Sequence, residues 1–431
     1  MTDLSHSHTS IISIPVAKPA PAKVLNWQFA RYLTSGCQDL IHLNNAGAAL
    51  MPNCVVEAAI NHLRDEARLG GYEAAERAQA AIEHVYDSSA ILLNCLPSEI
   101  AVVENASRAW NLAFGSIGFL PGDIVVTTTF EYANNYMAIM QARKRYGIGV
   151  RVLENAETGE LSLDALKSAI ASDGKNIRLI SVTHVPTHNG VVNPYADVGR
   201  IVRAAKASGA LSPRAIYIVD ACQSAGQLHI DVQDASVDIL TTCSRKYLRG
   251  PRGVGLLFVR KGLLDPRQTE EPLLLDVRAA GWTSRDGYVV YDDGRRFETW
   301  DTNLAGKIAL GVAIDHAYTW GLSNIEIYVD QLAERLRELL RSLNGVHVHD
   351  VGRRRCGIVS FSVDGCDPVK LREHLRQHSI NVSTSECALT RLDMENRNLK
   401  MILRASVHYY NFEHEIIALA ERIEEFRRRH H

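Results

Sequence analysis

The sequence carries no strong charge of either sign. Its 431 residues include 47 Lys and Arg against 49 Asp and Glu, a formal net charge of −2. Proteins that bind nucleic acid usually carry a basic surplus that neutralises phosphate, so we expect no nucleic-acid partner. There is no run of about 18 uninterrupted apolar residues, and we therefore expect no membrane association.

Metal-binding and disulfide patterns are also missing. The eight cysteines form no CxxC pair, which fits neither a zinc ribbon nor a disulfide framework and predicts a reducing, cytoplasmic setting. The 17 histidines contain no HExxH motif, and we expect no metal. Residues 1–25 lack a basic segment followed by an apolar core, so they predict a mobile arm rather than a signal peptide.

From residue 40 onward, short β-branched runs alternate with longer helical patterns. This alternation predicts an α/β fold in which a mainly parallel sheet of seven strands is covered by helices. The candidate strands are 100–105, 123–129, 149–154, 177–184, 215–221, 237–244 and 253–259, and the helical patterns include 54–69, 110–120, 163–172 and 197–209. The pattern changes near residue 302. We therefore predict a large domain over 26–301, whose first residues are candidates to pack on a smaller α+β domain over 302–431.

Two charged residues end neighbouring candidate strands. Asp220 ends AIYIVD, and Lys246 follows VDILTTCSR. Ligands in open α/β sheets bind at the carboxyl ends of strands, so the pair predicts a site there. The alternative for Lys246 alone is an ordinary solvated lysine.

Together these residues resemble the fold-type I pyridoxal-phosphate (PLP) enzymes of aminotransferase class V, which include cysteine desulfurases, kynureninases and isopenicillin N epimerase. The resemblance covers residues from about 40 to 425. It implies PLP as the cofactor, a Schiff base with Lys246, and a proton held on the pyridine nitrogen by Asp220. Gln223 matches the family position that contacts the 3-oxygen of the cofactor.

The resemblance also implies a phosphate site in VENASRAWNLAF (103–114), where a strand leads into a helix. The backbone N–H groups of Ala106, Ser107 and Arg108 would face the anion. Family members usually carry a Gly-Thr-Thr-Glu turn here, so the segment departs from the pattern, and a plain Ser N-cap is the alternative. Arg245 matches a His, Gln or Arg position and would add a charged contact to the phosphate.

Residues on the substrate side follow from the same resemblance. Tyr132, in FEYAN (130–134), stands where desulfurases stack a histidine on the pyridine ring, and we count it as catalytic with Lys246 and Asp220; the alternative is a core aromatic. Thr187 stands where relatives place Asn or Thr near the substrate and the 3-oxygen. Arg404, in MILRASVHYYN (401–411), matches the arginine that binds the substrate carboxylate. A strand arginine in a surface ion pair is the alternative.

Two further segments resemble narrower features of the family. LNNAGAALMP (43–52) resembles the branch with the ergothioneine C–S lyase and lincosamide-pathway enzymes that act on S-conjugated cysteines. By this resemblance Asn44, Ala46 and Gly47 would line the substrate entrance. RFETWDTN (296–303) resembles the segment that completes the phosphate site of a partner subunit, and it implies a homodimer. The residues concerned are Trp300, Thr302 and Asn303.

The expected reaction depends on Cys387. NVSTSECALTRL (381–392) places this residue close to the position of the desulfurase nucleophile, but one residue off the usual spacing and without flanking histidines. We therefore interpret it as a packed loop cysteine and predict a C–S lyase. This enzyme would eliminate a thiol from an S-substituted L-cysteine (an S-conjugate or sulfoxide), leaving pyruvate and ammonia. Alternatives are decarboxylation coupled to oxidative deamination in antibiotic biosynthesis, desulfuration, transamination, epimerisation, and a homologue that binds PLP without catalysis.

Overall fold

The computed structural model describes residues 26–265 and 271–430. The predicted arm, 1–25, lies outside the described residues. The α-helices are α1 (Trp27–Tyr32), α2 (Asn53–Leu69), α3 (Gly71–Arg77), α4 (Gln79–Leu93), α5 (Ala106–Gly115), α6 (Ala133–Tyr146), α7 (Leu163–Asp173), α8 (Tyr195–Ala207), α9 (Leu304–Trp320), α10 (Leu322–Ser342), α11 (Pro368–Gln377), α12 (Arg391–Asn396) and α13 (Glu413–His430). Within the described ranges, no helix is both long and apolar enough to cross a bilayer.

The strands form one large sheet and three smaller ones. They are β1 (Ile41–His42), β2 (Ile100–Val103), β3 (Ile124–Thr128), β4 (Gly149–Leu153), β5 (Ile177–Thr183), β6 (Ile216–Asp220), β7 (Ile239–Cys243), β8 (Gly255–Val259), β9 (Ala280–Ser284), β10 (Gly287–Val290), β11 (Val346–Val348), β12 (Ile358–Val363), β13 (Ile380–Asn381), β14 (Ser383–Glu386) and β15 (Met401–Ser406). The large sheet has the order β2-β8-β7-β6-β5-β3-β4.

The seven-stranded, mainly parallel sheet is confirmed. Strand β8 is antiparallel to both of its neighbours, and the remaining pairs are parallel. Every residue of β5, β6, β7 and β8 is buried. Helices cover both faces of such a sheet, so its strands are near-continuous apolar runs rather than alternating ones. All seven candidate strands of the sequence analysis overlap strands of this sheet.

One predicted helix has the wrong bounds. The apolar pattern of 110–120 suggested a helix there, whereas α5 runs from Ala106 to Gly115. The Asn105 side chain accepts a hydrogen bond from the Arg108 N–H at 2.9 Å and so starts the helix four residues earlier. The helix ends at Gly115, because glycine has a low helix propensity.

The C-terminal part forms an antiparallel sheet of order β11-β12-β15-β14. The beginning of the chain packs against it: β1 pairs in parallel with β13, and the Trp27 ring lies 4.8 Å from that of Tyr328 and 5.7 Å from that of Tyr409. Helix α9 packs on α2 and α4, where Gly311 lies against Val85. The boundary near residue 302 stays a prediction, since α9 joins the two parts.

Candidate active site

A cavity of about 450 Å³ opens where the parallel strands of the large sheet end and the C-terminal sheet faces them. Most of the residues singled out from the sequence line it. These are Ala46, Gly47, Ala106, Ser107, Tyr132, Thr187, Asp220, Gln223, Arg245, Lys246 and Arg404.

Lys246 and Asp220 reach the cavity from neighbouring strands. Strand β6 ends with Asp220, which pairs with Thr241 in β7, and the chain leaves β7 three residues before Lys246. Because β6 and β7 run parallel, both side chains emerge at the same edge of the sheet. Among the described residues, Lys246 has no carboxylate within ion-pair distance, so its amine is not held in a salt bridge.

Asp220 is held from two sides. Its Oδ1 accepts from the Cys222 N–H at 2.9 Å, and its Oδ2 accepts from Asn135 Nδ2 at 3.0 Å. The same Asn135 amide donates to Glu131 Oε1 at 2.9 Å and so bridges two buried carboxylates. Burial raises the pKa of Glu131, and the charge of Asp220 adds to this effect, while hydrogen bonds from Thr127, Asn135 and Ser181 oppose it.

Arg404 is a buried cation without a counter-charge. It is 6% exposed and donates to Thr187 O at 2.7 Å, to Thr187 Oγ1 at 2.9 Å and to Asn44 Oδ1 at 3.2 Å. Its Nε has no hydrogen-bond partner, and no carboxylate in the described part of the chain pairs with it. Burial lowers the pKa of Arg404 to about 10. The site therefore favours the arrival of an anion.

Gln223 connects the two sides of the cavity. Its Nε2 donates to Ala46 O at 3.0 Å and to Thr187 Oγ1 at 3.2 Å. Its Oε1 is buried and has no hydrogen-bond partner. An unpartnered buried acceptor costs about 1–3 kcal/mol, which a donor on a bound ligand would recover.

The N-terminus of α5 forms another wall, with Ala106 and Ser107 at the cavity surface. The start of β8 passes close behind, since a Cβ at Gly255 would lie 2.7 Å from the carbonyl carbon of Asn105. Arg108 is not brought into the cavity as expected. Its N–H is already bonded to the Asn105 side chain, and its guanidinium lies 3.9 Å from Glu104. Asn105, not a serine, caps the helix.

Two thiols lie beside Lys246. Arg245 donates to Cys243 Sγ at 3.4 Å, and both Cys243 and Cys222 line the cavity. A hydrogen bond from the Cys222 thiol, together with the charges of Lys246 and Arg245, lowers the pKa of Cys243. The same hydrogen bond and burial raise the pKa of Cys222.

Besides Arg108, three other predicted cofactor residues do not line the cavity of this chain. Trp300 is 59% exposed, and Thr302 is half-buried. Asn303 caps α9 by accepting from the Gly306 N–H at 2.8 Å. Its amide lies near the rim, since a Cβ at Gly253 would be 4.0 Å from Asn303 Nδ2.

Residues 41–419 match the family described as Aminotransferase class-V. The chain belongs to the class V aminotransferase family. It is accordingly a PLP-dependent enzyme of fold type I. The class V chain is 29% identical over 394 residues, 90% of its length and 95% of the relative, to a probable cysteine desulfurase of Methanothermobacter thermautotrophicus.

Two further comparisons cover most of the class V chain. It is 27% identical over 406 residues, 92% of its length and 91% of the relative, to a probable hercynylcysteine sulfoxide lyase of Mycobacterium tuberculosis. The apo structure of a cysteine desulfurase from Thermococcus onnurineus superposes with a TM-score of 0.82 at 28% identity, covering 93% of this chain and 97% of that one.

The cavity of the class V chain fits PLP. Lys246 offers a free amine, Asp220 a buried carboxylate, and Ala106 and Ser107 a helix N-terminus that favours an anion. The unpartnered Gln223 Oε1 adds a buried polar atom that lacks a partner in the protein.

Several residues that line the cavity were not predicted from the sequence. Cys387 does not line it. The additional ones are Glu104, Asn105, Asn135, Thr183, Val185, Cys222, Cys243, Arg252, Gly253, Val254, Ser383, Thr384, Ser385 and Leu389. Helical spacing did not signal Asn135, because Glu131, four residues before it, precedes the start of α6. Cys387 follows β14, and its N–H donates to Lys400 O at 2.9 Å.

The loop that carries Cys387 is anchored near Thr187. His188 Nε2 lies 2.6 Å from Asp393 Oδ2 in α12, and both side chains are buried. Burial opposes ionisation of Asp393, but the contacts with His188 and Arg397 outweigh it and lower its pKa. This buried pair connects the turn after β5 to the C-terminal wall of the cavity.

Proposed function

We propose that this class V enzyme is a C–S lyase that converts an S-substituted L-cysteine and water into a thiol, pyruvate and ammonia. The observation that carries the proposal is the buried Arg404 without a counter-charge in the cavity that also holds Lys246. A guanidinium with no protein carboxylate suits the α-carboxylate of an amino acid, because the substrate supplies the missing charge. The relative named hercynylcysteine sulfoxide lyase agrees with this class of substrate.

In the proposed mechanism, bound PLP withdraws electrons from the substrate Cα, so that a proton can leave Cα and a sulfur group can leave Cβ. Arg404 binds the carboxylate and fixes the amino acid in the cavity. Lys246 Nζ takes the Cα proton. Asp220, oriented by Asn135 and the Cys222 N–H, would supply a negative charge to the pyridine nitrogen of bound PLP.

The fate of the sulfur separates this proposal from a second candidate, cysteine desulfuration. That candidate is supported by the relatives named cysteine desulfurase. Desulfuration needs a protein thiol at the substrate sulfur. Cys222 and Cys243 line the cavity at the strand ends that carry Asp220 and Lys246, whereas Cys387, which stands near the position of the desulfurase nucleophile, does not line it. This arrangement favours departure of the thiol to solvent over transfer to Cys387.

The two candidates are distinguished by their products. Purified enzyme with S-methyl-L-cysteine and with L-cysteine is assayed for thiol or sulfide, pyruvate and alanine. We expect thiol and pyruvate in equal amounts, with Cys387→Ser as active as the parent and as the control Cys366→Ser. Alanine from L-cysteine, lost in Cys387→Ser alone, would establish desulfuration instead. Absence of both products, with an intact cofactor band, would remove C–S cleavage altogether.

We also propose that the enzyme is a homodimer with shared sites. Large apolar side chains near the β9–β10 hairpin are exposed, among them Trp282 at 82%, Val277 at 71% and Trp300 at 59%. Several large exposed apolar side chains in one segment of the chain are typical of an interface. Trp282→Arg is expected to yield monomers in light scattering and to weaken PLP retention, whereas Tyr72→Arg, at another exposed aromatic, is expected to do neither. A Trp282→Arg dimer would contradict this interface.

A further inference from the structure

Two histidines and a glutamate meet where α11 ends against α13, outside the active site. His374 lies in the last turn of α11, His378 follows that helix, and Glu425 lies in α13. One nitrogen of each imidazole and one oxygen of the carboxylate lie within 4.8 Å of one another. All three side chains are half-buried. The spacing of the histidines by four residues places both rings on one side of the helix end.

Each imidazole has a ring nitrogen that is available to bind a metal ion. His378 Nδ1 lies 2.8 Å from the His374 carbonyl oxygen, which can only accept, so Nδ1 carries a hydrogen and Nε2 is the ring nitrogen left for a metal. A second hydrogen bond of this kind fixes the tautomer of many metal-bound histidines. His374 Nε2 is buried and has no hydrogen-bond partner.

Glu425 supplies the negative charge. It accepts one hydrogen bond from Arg422 and one from Arg429, on different oxygens. Each oxygen retains a second lone pair for a metal. The two arginines also repel a cation and therefore reduce its affinity.

We propose that His374, His378 and Glu425 bind a divalent transition-metal ion such as Zn²⁺, with water completing the coordination. Two imidazoles and a carboxylate suit Zn²⁺, Co²⁺, Ni²⁺ or Cu²⁺ rather than Mg²⁺ or Ca²⁺. Tetrahedral coordination at about 2 Å places donor atoms about 3.3 Å apart. The present spacing, up to 4.8 Å, must shorten to that value when the ion binds.

The ion would link α11 to α13 close to the active site. After His378 the chain forms β13 and then β14. Ser383, which is five residues after His378, begins β14 and lines the cavity. A metal at the end of α11 would therefore fix the segment that leads into this wall. Binding of the ion at this site does not depend on which reaction the enzyme catalyses.

The test is titration of the full-length, PLP-loaded, chelator-treated enzyme with Zn²⁺ by calorimetry and with Co²⁺ by visible absorption. We expect one Zn²⁺ per chain at this site. His374→Ala and His378→Ala should each weaken it by about tenfold or more. His347→Ala is the matched control: this exposed histidine pairs with Asp364 at 2.9 Å and belongs to no cluster of three possible metal ligands among the described residues. It should leave the affinity unchanged.

Arg429→Ala tests the electrostatics separately. Because it removes a positive charge next to Glu425 and adds no ligand, it is expected to tighten Zn²⁺ binding. Thermal unfolding without metal checks that the histidine variants are folded, and added Zn²⁺ should raise the midpoint of the parent but not of either variant. Equal affinity in the parent and both histidine variants would place the ion elsewhere and overturn the proposal. No binding by the folded parent would overturn it as well.

Discussion

Replacing Arg404 by methionine is expected to remove substrate binding while lowering the free energy of unfolding only slightly. Burial lowers the pKa of Arg404 to about 10, which corresponds to a cost of roughly 3 kcal/mol for the charged form. The variant escapes this cost but loses three hydrogen bonds donated by a charged group to neutral acceptors, each worth about 1.5 kcal/mol. The net loss of stability is therefore about 1–2 kcal/mol.

Binding should respond very differently. A bidentate contact between guanidinium and carboxylate contains two charge-assisted hydrogen bonds of about 1.5–3 kcal/mol each. Its loss should weaken binding of an amino acid by at least roughly 100-fold. The assay follows the visible spectrum of the PLP-loaded enzyme during titration with S-methyl-L-cysteine, and urea-induced unfolding is measured in parallel.

Arg337 provides the matched control, because it is equally buried but paired. It lies 2.7 Å from Asp350, whose side chain is also fully buried. Arg337→Met should lower the free energy of unfolding by about 3–5 kcal/mol, since it leaves an unpaired buried carboxylate. If Arg404→Met is destabilised as strongly as Arg337→Met, or binds the amino acid as well as the parent, the reasoning is refuted.

Three further predictions concern buried polar groups. Asn135→Leu should shift the pH-dependent visible spectrum of the PLP-loaded enzyme, because the amide that bridges the two buried carboxylates is lost; the same spectrum in Asn135→Leu as in the parent would contradict this bridge. Iodoacetamide at pH 7 should modify Cys243 of the cofactor-free protein before Cys222, since the pKa of Cys243 is lowered and that of Cys222 raised; peptide mass spectrometry reads the order, and the reverse order would refute it. The pKa of Asp393 is lower in the folded protein than in the unfolded chain, so its ionised form stabilises the fold. This stabilisation is fully present above the ordinary aspartate pKa of about 4. It is lost as the pH falls through the lower pKa of the folded protein. Asp393→Asn should therefore reduce the urea midpoint at pH 7, where the His188 contact is intact, and have less effect near about pH 3; a pH-independent effect would show that ionisation is not the cause.

The large sheet could be predicted because its strands are apolar over their whole length. Strands such as β5 and β7 are buried from end to end, so their signal depends on local composition. The position of Lys246 after β7 and of Asp220 at the end of β6 then followed from strand order alone. The placement of Arg404 beside Thr187 required the family resemblance, because 217 residues separate them.

Other parts of the site depend on contacts that periodicity does not encode. The start of α5 was missed because the Asn105 cap, not the apolar pattern, determines where that helix begins. Ser383, Thr384 and Ser385 line the cavity only because β14 pairs with β15. No local pattern distinguishes such serines and threonines from those of a surface loop.

The pairing of β1 with β13 bears on the order in which the enzyme is made. Ile41 lies beside Ile380, so the first strand to leave the ribosome waits for nearly the whole chain before it finds its partner. Asn44, which follows that strand, meets Arg404 only at the same late stage. The sheet that carries Lys246 and Asp220 can assemble earlier, from segments that end with β8. A nascent chain would therefore complete the wall of the cavity that carries Lys246 and Asp220 before the wall that carries Arg404.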